Sequence, residues 1–385
     1  MAAAVIVLVA ATLVTLKTLR NEHAAPVPSA GPPSAGAAPR YYVAFGWAKN
    51  PGAWAIVVGD AQARKTIATF PLPKGSLLTS AAASGAADDR TFVVSGVTSR
   101  DIAPEPDTWH LVRIFPGSAD RVRITKLSIK PPVDENVQDI ALSGDGTELA
   151  VVSVPANASL RTGAPLTLQV YSVATGRLRH SWSAGISASL ANVEPIADLS
   201  WVGDSTIGFA VTYSRQVREE VRTLDVSKTG TNLLADSRVV WSQYVRAVAV
   251  VTGNHELGHT LASFGVLPAR HTCDTPFLTG NGQAVVCGNS TYSRDKRWSA
   301  VWLAYPLATP TRPRVIGSVQ EPRDVLGFNG PISVDWTNPA GTEVIGSWNP
   351  AASVPGGESV ANYDAVIDNG KVKPFPRPLN LVAAW

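Results

Sequence analysis

The sequence predicts an all-β protein, a β-propeller of about six four-stranded blades preceded by an N-terminal transmembrane helix. Three observations carry this. From Tyr41 onward, alternating β-branched and aromatic runs are broken by Gly, Pro, Asn and Asp clusters, with no stretch of helical periodicity. A pattern of paired hairpins recurs with a period of about 60 residues. Ahead of both, the chain up to Leu16 is apolar and carries no charge.

The apolar start reads AAAVIVLVAATLVTL over Ala2 to Leu16. As a helix, the stretch to Leu16 spans about 24 Å at 1.5 Å per residue, and running on to Leu19 with Lys17 snorkelling brings it near the ~30 Å of a hydrocarbon core. Residues 1–20 are therefore expected to form a transmembrane anchor, at the short limit for one. The alternatives are a cleaved signal peptide and a buried core helix, the latter disfavoured by the terminal position. Lys17 and Arg20 follow the apolar run, so the positive-inside rule alone would put the remainder of the chain in the cytoplasm. Cys273 and Cys287 argue the other way: an even pair, spaced as a hairpin could join them, is expected as a disulfide outside the cytosol. The two signals agree if a short basic tail precedes Met1. Residues 21–40, NEHAAPVPSAGPPSAGAAPR, read as a semi-extended linker, and residues 41–385 as the propeller.

The repeat is clearest from Val137 to Ser153, VQDIALSGDGTELAVVS, where Ser143 to Gly146 turn between two strands. Asp-Gly is a strong hairpin signal because glycine takes positive φ without a Cβ clash. LTLQVYSVATGRLRHSWSA, Leu166 to Ala184, completes four strands. Related first halves begin at Ala81, Ile196, Phe277 and Ile332, and their second halves include HLVRIFPGSADRVRITKL, VRTLDVSKTGTNLL, VWLAYPLATPTRPRVIGS and DAVIDNGKVKPFP. The turn positions Asp89, Asp145, Asp204, Asn281 and Ala340 are separated by 56, 59, 77 and 59 residues. That is one blade per interval, with an insertion before the fifth. A unit from Tyr41 to Pro73 supplies the sixth and must close the ring. An irregular pair of β-sandwiches is the competing architecture.

The LSGDGTELAVVS segment resembles the Ser-Pro-Asp-Gly hairpin of WD40-like and TolB-type propellers, with Gly144 in place of the proline. The overall plan is similar to actinobacterial membrane-anchored propeller proteins of unassigned function. The resemblance covers about Tyr41 to Pro378 as a pattern and implies a scaffold around a central channel; it implies no specific activity.

Composition narrows the function. Of 385 residues, 45% are hydrophobic, enough for a large core, and only 16% are charged, which favours turns over long solvated helices. The net charge of +3 is small, and no run of Lys and Arg is interleaved with aromatics, so no nucleic acid partner is expected.

One motif points to chemistry. His255, Glu256, Leu257, Gly258 and His259 form HExxH, in which two histidines four apart on a helix bind one Zn²⁺ and the carboxylate polarises the attacking water. His271 is a conceivable third ligand. The context is poor: Gly253 and Asn254 interrupt any longer helix, Ala262 and Gly265 stand where a metzincin needs Gly and His, and the next glutamate is Glu321. Cys273 and Cys287 read as a staple rather than as ligands or a redox pair. The tryptophans, among them Trp47, Trp109, Trp182, Trp201, Trp302 and Trp348, read as core between blades rather than as stacking platforms. Asp88, Asp89 and Asp335 read as solvated at turns or strand ends. Asn157 and Asn289 begin weak glycosylation patterns.

The expected function is a membrane-tethered extracytoplasmic module that binds a protein or small molecule at the propeller rim, with no cofactor required. The alternative is a zinc-dependent, peptidase-like hydrolase, with His255, His259 and His271 as metal ligands and Glu256 as general base.

Overall fold

A computed structural model describes residues 38–47, 54–72, 77–99, 108–117, 120–130, 135–155, 166–184, 197–213, 218–244, 273, 275–293, 295, 297–321, 325–328, 332–352, 363–375 and 382–385. Blade I begins with β1 (Tyr41–Trp47), β2 (Trp54–Asp60) and β3 (Lys65–Pro71). Blade II follows with β4 (Leu77–Gly85), β5 (Thr91–Ser99), β6 (Thr108–Phe115) and β7 (Arg121–Lys126). Blade III holds β8 (Glu135–Leu142), β9 (Glu148–Pro155), β10 (Leu166–Ser172) and β11 (Leu178–Ala184). Blade IV holds β12 (Ala197–Val202), β13 (Thr206–Tyr213), β14 (Arg218–Asp225) and, after a single helical turn α1 (Leu233–Asp236), β15 (Arg238–Tyr244). Blade V comprises β16 (Phe277–Leu278), β17 (Ala284–Tyr292), β18 (Trp298–Pro306) and β19 (Arg314–Gln320). A small pair, β20 (Val325–Phe328) with β23 (Pro350–Ala352), flanks blade VI, whose strands are β21 (Ser333–Thr337), β22 (Glu343–Trp348), β24 (Tyr363–Asp368) and β25 (Lys371–Pro374). The last strand, β26 (Val382–Ala384), returns to pair with β1 as the innermost strand of blade I.

Six antiparallel four-stranded sheets therefore stand around one axis. Their innermost strands touch in sequence, β26 to β4 to β8 to β12 to β16, with blade VI closing against both β17 and β26. The six-bladed propeller expected from the repeat is the fold of the described residues. Two details differ from the sequence reading. The residues NLL after β14 enter α1 instead of a strand, because the Asn232 side chain accepts from the Ala235 backbone N–H at 2.9 Å and caps a helical turn. The innermost strand of blade I comes from the far C-terminus.

Alternation along each strand gives every sheet two apolar faces, and the core consists of the layers between blades. Trp182 and Phe209 meet between blades III and IV, Trp302 and Trp348 between V and VI, and Trp109 lies between II and III. Trp302 and Trp182 are 0% and 1% exposed, so these tryptophans are core as the sequence suggested. Two indoles also stitch blades together: Trp201 Nε1 donates to the Ala141 carbonyl at 2.9 Å, and Trp302 Nε1 to that of Ser333 at 3.0 Å.

The hairpin turns repeat in chemistry as well as position. Ser143, Thr279 and Asn338 each offer a side-chain oxygen to backbone N–H groups across the turn, and Gly146, Gly282 and Gly341 follow at φ of 71°, 67° and 63°. In blade II the counterpart of Asp145 is Asp88, which accepts from the Thr91 N–H at 2.8 Å. Neighbouring Asp89 is not simply solvated. It is half-buried and accepts from the backbone N–H groups of Arg40 and Tyr41 at 2.8 and 3.1 Å, and burial raises it to about 6.

The expected anchor, residues 1–20, and residues 21–37 of the expected linker lie outside the described residues. Among the described residues, no helix is long and apolar enough to cross a membrane.

Candidate functional site

Because the strands of each blade alternate in direction, connections between first and second and between third and fourth strands fall on one face of the ring. Those between second and third strands, and from blade to blade, fall on the other. The first face is mostly tight turns, such as 61–64, 143–147 and 369–370. Strand ends on the second face are joined by longer segments, including 156–165, 185–196, 245–272 and 353–362. In propellers as in other folds, long connections held by a rigid scaffold are where recognition concentrates.

Segment 245–272 joins the outer edge of blade IV to the start of blade V and contains His255, Glu256, His259 and His271. All four lie outside the described residues. The two sides of its base are described, and they are tied together. The Gln243 side chain donates to the Cys273 carbonyl and accepts from the Cys273 N–H, both at 2.8 Å, as a backbone partner would in a ladder. Cys273 is in turn bonded to Cys287 on β17, with an S–S distance of 2.06 Å and both residues buried. The pair is thus a disulfide, and neither sulfur is available as a metal ligand. Gln243 also donates to Glu219, which carries this clamp toward the axis.

Carboxyl groups converge at the axis. The first strands of blades III, IV and VI each carry a β-bulge, between Val137 and Asp139, Ala197 and Ser200, and Val334 and Trp336. A bulge adds a residue to one strand and re-aims a side chain; here it falls at Gln138 beside Asp139, at Asp198–Leu199 and at Asp335. Asp198 takes φ of +60°, a conformation that Asn and Asp tolerate best among residues with a Cβ. The Asp198 carboxyl feels the charges of Asp139, Glu219 and Asp335. Asp335 belongs to blade VI and Asp198 to blade IV, with blade V between them, so this interaction runs across the centre of the ring. The three aspartates stand on the innermost strands of their blades.

Their protonation follows from that position. Water reaches each of them, Asp335 most, yet protein surrounds them in depth, and desolvation raises Asp139 and Asp335 to about 6. Asp198, with three acidic neighbours added to burial, is held well above the usual carboxylate range. The roles differ. Asp139 accepts from the Ile140 N–H at 2.7 Å and, across the blade boundary, from the Leu199 N–H at 2.8 Å, so it also latches blade III to blade IV. Asp335 is held by the Ser333 hydroxyl at 2.9 Å and by Ser347. The Asp198 backbone N–H also donates to Asp139, whereas among the described residues no donor meets the Asp198 carboxyl.

The sequence reading placed Asp335 at a solvated strand end and passed over Asp139 and Asp198. One signal was available: Asp139 and Asp198 each precede the turn positions Asp145 and Asp204 by six residues. Among the described residues, no group of three His, Cys, Asp or Glu side chains is placed to hold a metal ion.

No protein-family model and no curated protein matches the sequence. Several solved structures resemble it distantly. An oligogalacturonate lyase in complex with manganese is 11% identical, with a TM-score of 0.37, covering 82% of this chain and 83% of its own. An uncharacterized protein from Listeria monocytogenes is 9% identical, with a TM-score of 0.38, covering 90% and 83%. A provisional dipeptidyl aminopeptidase IV from Bacteroides ovatus is 11% identical, with a TM-score of 0.35; the match covers 88% of this chain but 46% of that one. At such TM-scores none of these likenesses bears on the fold or the function of this chain.

Proposed function

We propose that the protein is a membrane-tethered, extracytoplasmic propeller that binds a ligand at the mouth of its axial channel, on the face of the longer connecting segments. Behind this lies the placement of Asp139, Asp198 and Asp335 on the innermost strands of their blades, with the Asp198 carboxyl under the charges of the other two and of Glu219, to which Gln243 at the clamped base of segment 245–272 donates. Carboxyls crowded in a confined, partly desolvated space favour a partner that brings positive charge and hydrogen-bond donors, because such a partner relieves their repulsion. An amine or a lysine- or arginine-bearing peptide has that chemistry.

The test is equilibrium binding of spermidine and of a lysine-rich peptide, with an acidic peptide as control. Binding of the basic probes is expected near pH 8, should weaken as the pH falls through 6 and the carboxyls take up protons, and should be lost in Asp198→Asn combined with Asp335→Asn. Unchanged binding by that double variant, or no binding of either basic probe, would overturn the assignment.

The hydrolase reading rests on HELGH and on the position of its segment between strand ends on this same face. It predicts about one zinc per chain in metal analysis, lost in His259→Ala. Metal-free protein after purification without chelators rules it out.

A further inference from the structure

We propose that the tight-turn face of blades I and II is a docking surface for an anionic lipid bilayer. The inference rests on the membrane-tethered reading above and concerns the face opposite the ligand site.

Alternation dictates the arrangement. On β6 and β7, Val112, Ile114, Val122 and Ile124 pack toward blade I, which turns Arg113, Arg121 and Arg123 to the other side of the sheet. Arg113 lies directly opposite Arg123 in the strand register. All three arginines are exposed, and none has an ion-pair partner among the described residues. Like charges directly opposite one another disfavour a sheet, so this pairing does not serve folding. Exposed Arg64 and Lys65 stand at the β2–β3 turn of blade I on the same face of the ring, across the blade II sheet from the three arginines; Lys65 is 57% exposed and 3.9 Å from Asp120 in the turn that joins β6 to β7. Of the acids on this face of blades I and II, Asp60 is buried against Arg40 at 2.8 Å, Asp120 faces Arg40, Lys65 and the Tyr41 hydroxyl, Asp89 accepts from the Arg40 and Tyr41 N–H groups, and exposed Asp88 is held by the Arg90 and Thr91 N–H groups; the exposed basic side chains outnumber the exposed carboxylates. No contiguous basic run announces the patch in sequence, because the register of β6 on β7 assembles it.

The occupant follows from where the chain enters. Arg40, the last linker residue, is fixed on this same face by Asp60, Asp89 and Asp120. It stands 20 positions after the end of the apolar segment, and a chain of that length spans no more than about 70 Å even when fully extended. A bilayer holding that segment is thus never far from the patch, and the tether replaces a bimolecular encounter with a local one. Each guanidinium close to an anionic surface raises the docked population about fivefold, so the three together contribute roughly a hundredfold, within reach of screening by salt.

The experiment uses the full chain reconstituted in phosphatidylcholine vesicles and in phosphatidylcholine–phosphatidylglycerol vesicles. Flotation with the neutral vesicles, resistant to high salt, tests the tether alone. Docking is read by amine labelling of Lys65 followed by mass spectrometry. Lys65 should be protected in anionic vesicles only, and protection should vanish in high salt and in the triple variant Arg113→Gln, Arg121→Gln, Arg123→Gln. A chain that floats with neutral vesicles but labels equally in both lipids refutes docking while leaving the tether intact. A chain that does not float refutes the tether, and cosedimentation with the anionic vesicles alone then decides docking. Protection by a soluble polyanion but not by anionic lipid would replace the bilayer with an anionic polymer and overturn the proposal. The circular dichroism spectrum of the triple variant, expected to match wild type, excludes loss of fold.

Discussion

Removing the last four residues, or changing Trp385 to Ala, should open the ring. β26 contributes three register pairs to blade I, Val43 with Ala384, Ala44 with Ala383 and Phe45 with Val382. Trp385 follows at 5% exposure, stacked on Phe375 with ring centroids 4.9 Å apart and tilted against Tyr42 at 5.4 Å. A buried tryptophan removes about 200 Å² from water, worth about 5 kcal/mol at 25 cal/mol per Å² as an upper estimate, and large-to-small changes of this kind cost about 3–5 kcal/mol. Against total stabilities of about 5–15 kcal/mol, that is a large fraction. For a domain of about 345 residues the melting temperature should fall by roughly 4–7 °C. Removing residues 382–385 should cost at least as much, since β1 becomes an open edge. The assay is thermal unfolding followed by far-UV circular dichroism, paired with limited proteolysis, where new cuts should fall in blade I. Gly85→Ala provides an independent route to the same failure, because its Cβ would stand 2.2 Å from the Trp385 carbonyl oxygen. Leu178→Ala, at a side chain 50% exposed, is the control and should be neutral within about 0.5 kcal/mol. Wild-type melting and cleavage in the truncated chain would refute the closure argument.

Further predictions concern the staple, the packing and the axis. Replacing Cys273 and Cys287 by Ser frees a loop with sequence separation 14 and should cost about 3 kcal/mol in chemical denaturation, matching the effect of reductant on the wild type. Gly288→Ala places a Cβ 1.8 Å from the Ile332 carbonyl oxygen, so blades V and VI must separate there; a loss above about 2 kcal/mol is expected, against none for Gly117→Ala, which meets nothing within 4 Å. Asp139 and Asp335 sit at about 6 when folded and near 3.9 when unfolded, so between these values the native state holds protons that the unfolded chain has released. Their contribution to stability is therefore present below about pH 4 and lost as the pH rises through 6, visible as a falling melting temperature over that window. Asp198→Asn keeps a residue suited to positive φ and removes the charge, so it should raise the melting temperature at pH 8 and match wild type in acid, where Asp198 is protonated. A variant less stable than wild type at both pH values would contradict the repulsion inferred at the axis.

What the sequence made legible were features that repeat locally. The Asp145–Gly146 turn, the alternation in β8 to β11 and the spacing between turns all act over a few residues, so periodicity and turn chemistry suffice to find them. The cysteine pair was legible because a hairpin between β16 and β17 brings such positions together. β26 was not legible: three residues carry no period, and their partner Val43 lies at the other end of the chain. The axial acids stayed hidden because a bulge shifts the alternation by one and sends Asp335 to the axis, and no residue type marks a bulge in advance. Arg113 and Arg123 look unremarkable ten residues apart until strand register sets them side by side.

The clamp at the base of segment 245–272 has a consequence for how such a protein can change. Gln243 and the disulfide fix the separation of Cys273 from β15 whatever length of chain lies between. With both ends fixed, lengthening the insertion adds only closure entropy, about 0.6 kcal/mol for each doubling. The ring is then insulated from its largest excursion, and new sequence can be tried at that point without risk to the blades on either side. The position between blades IV and V behaves as a socket, one that a protein engineer could load with a foreign loop as readily as descent with modification could.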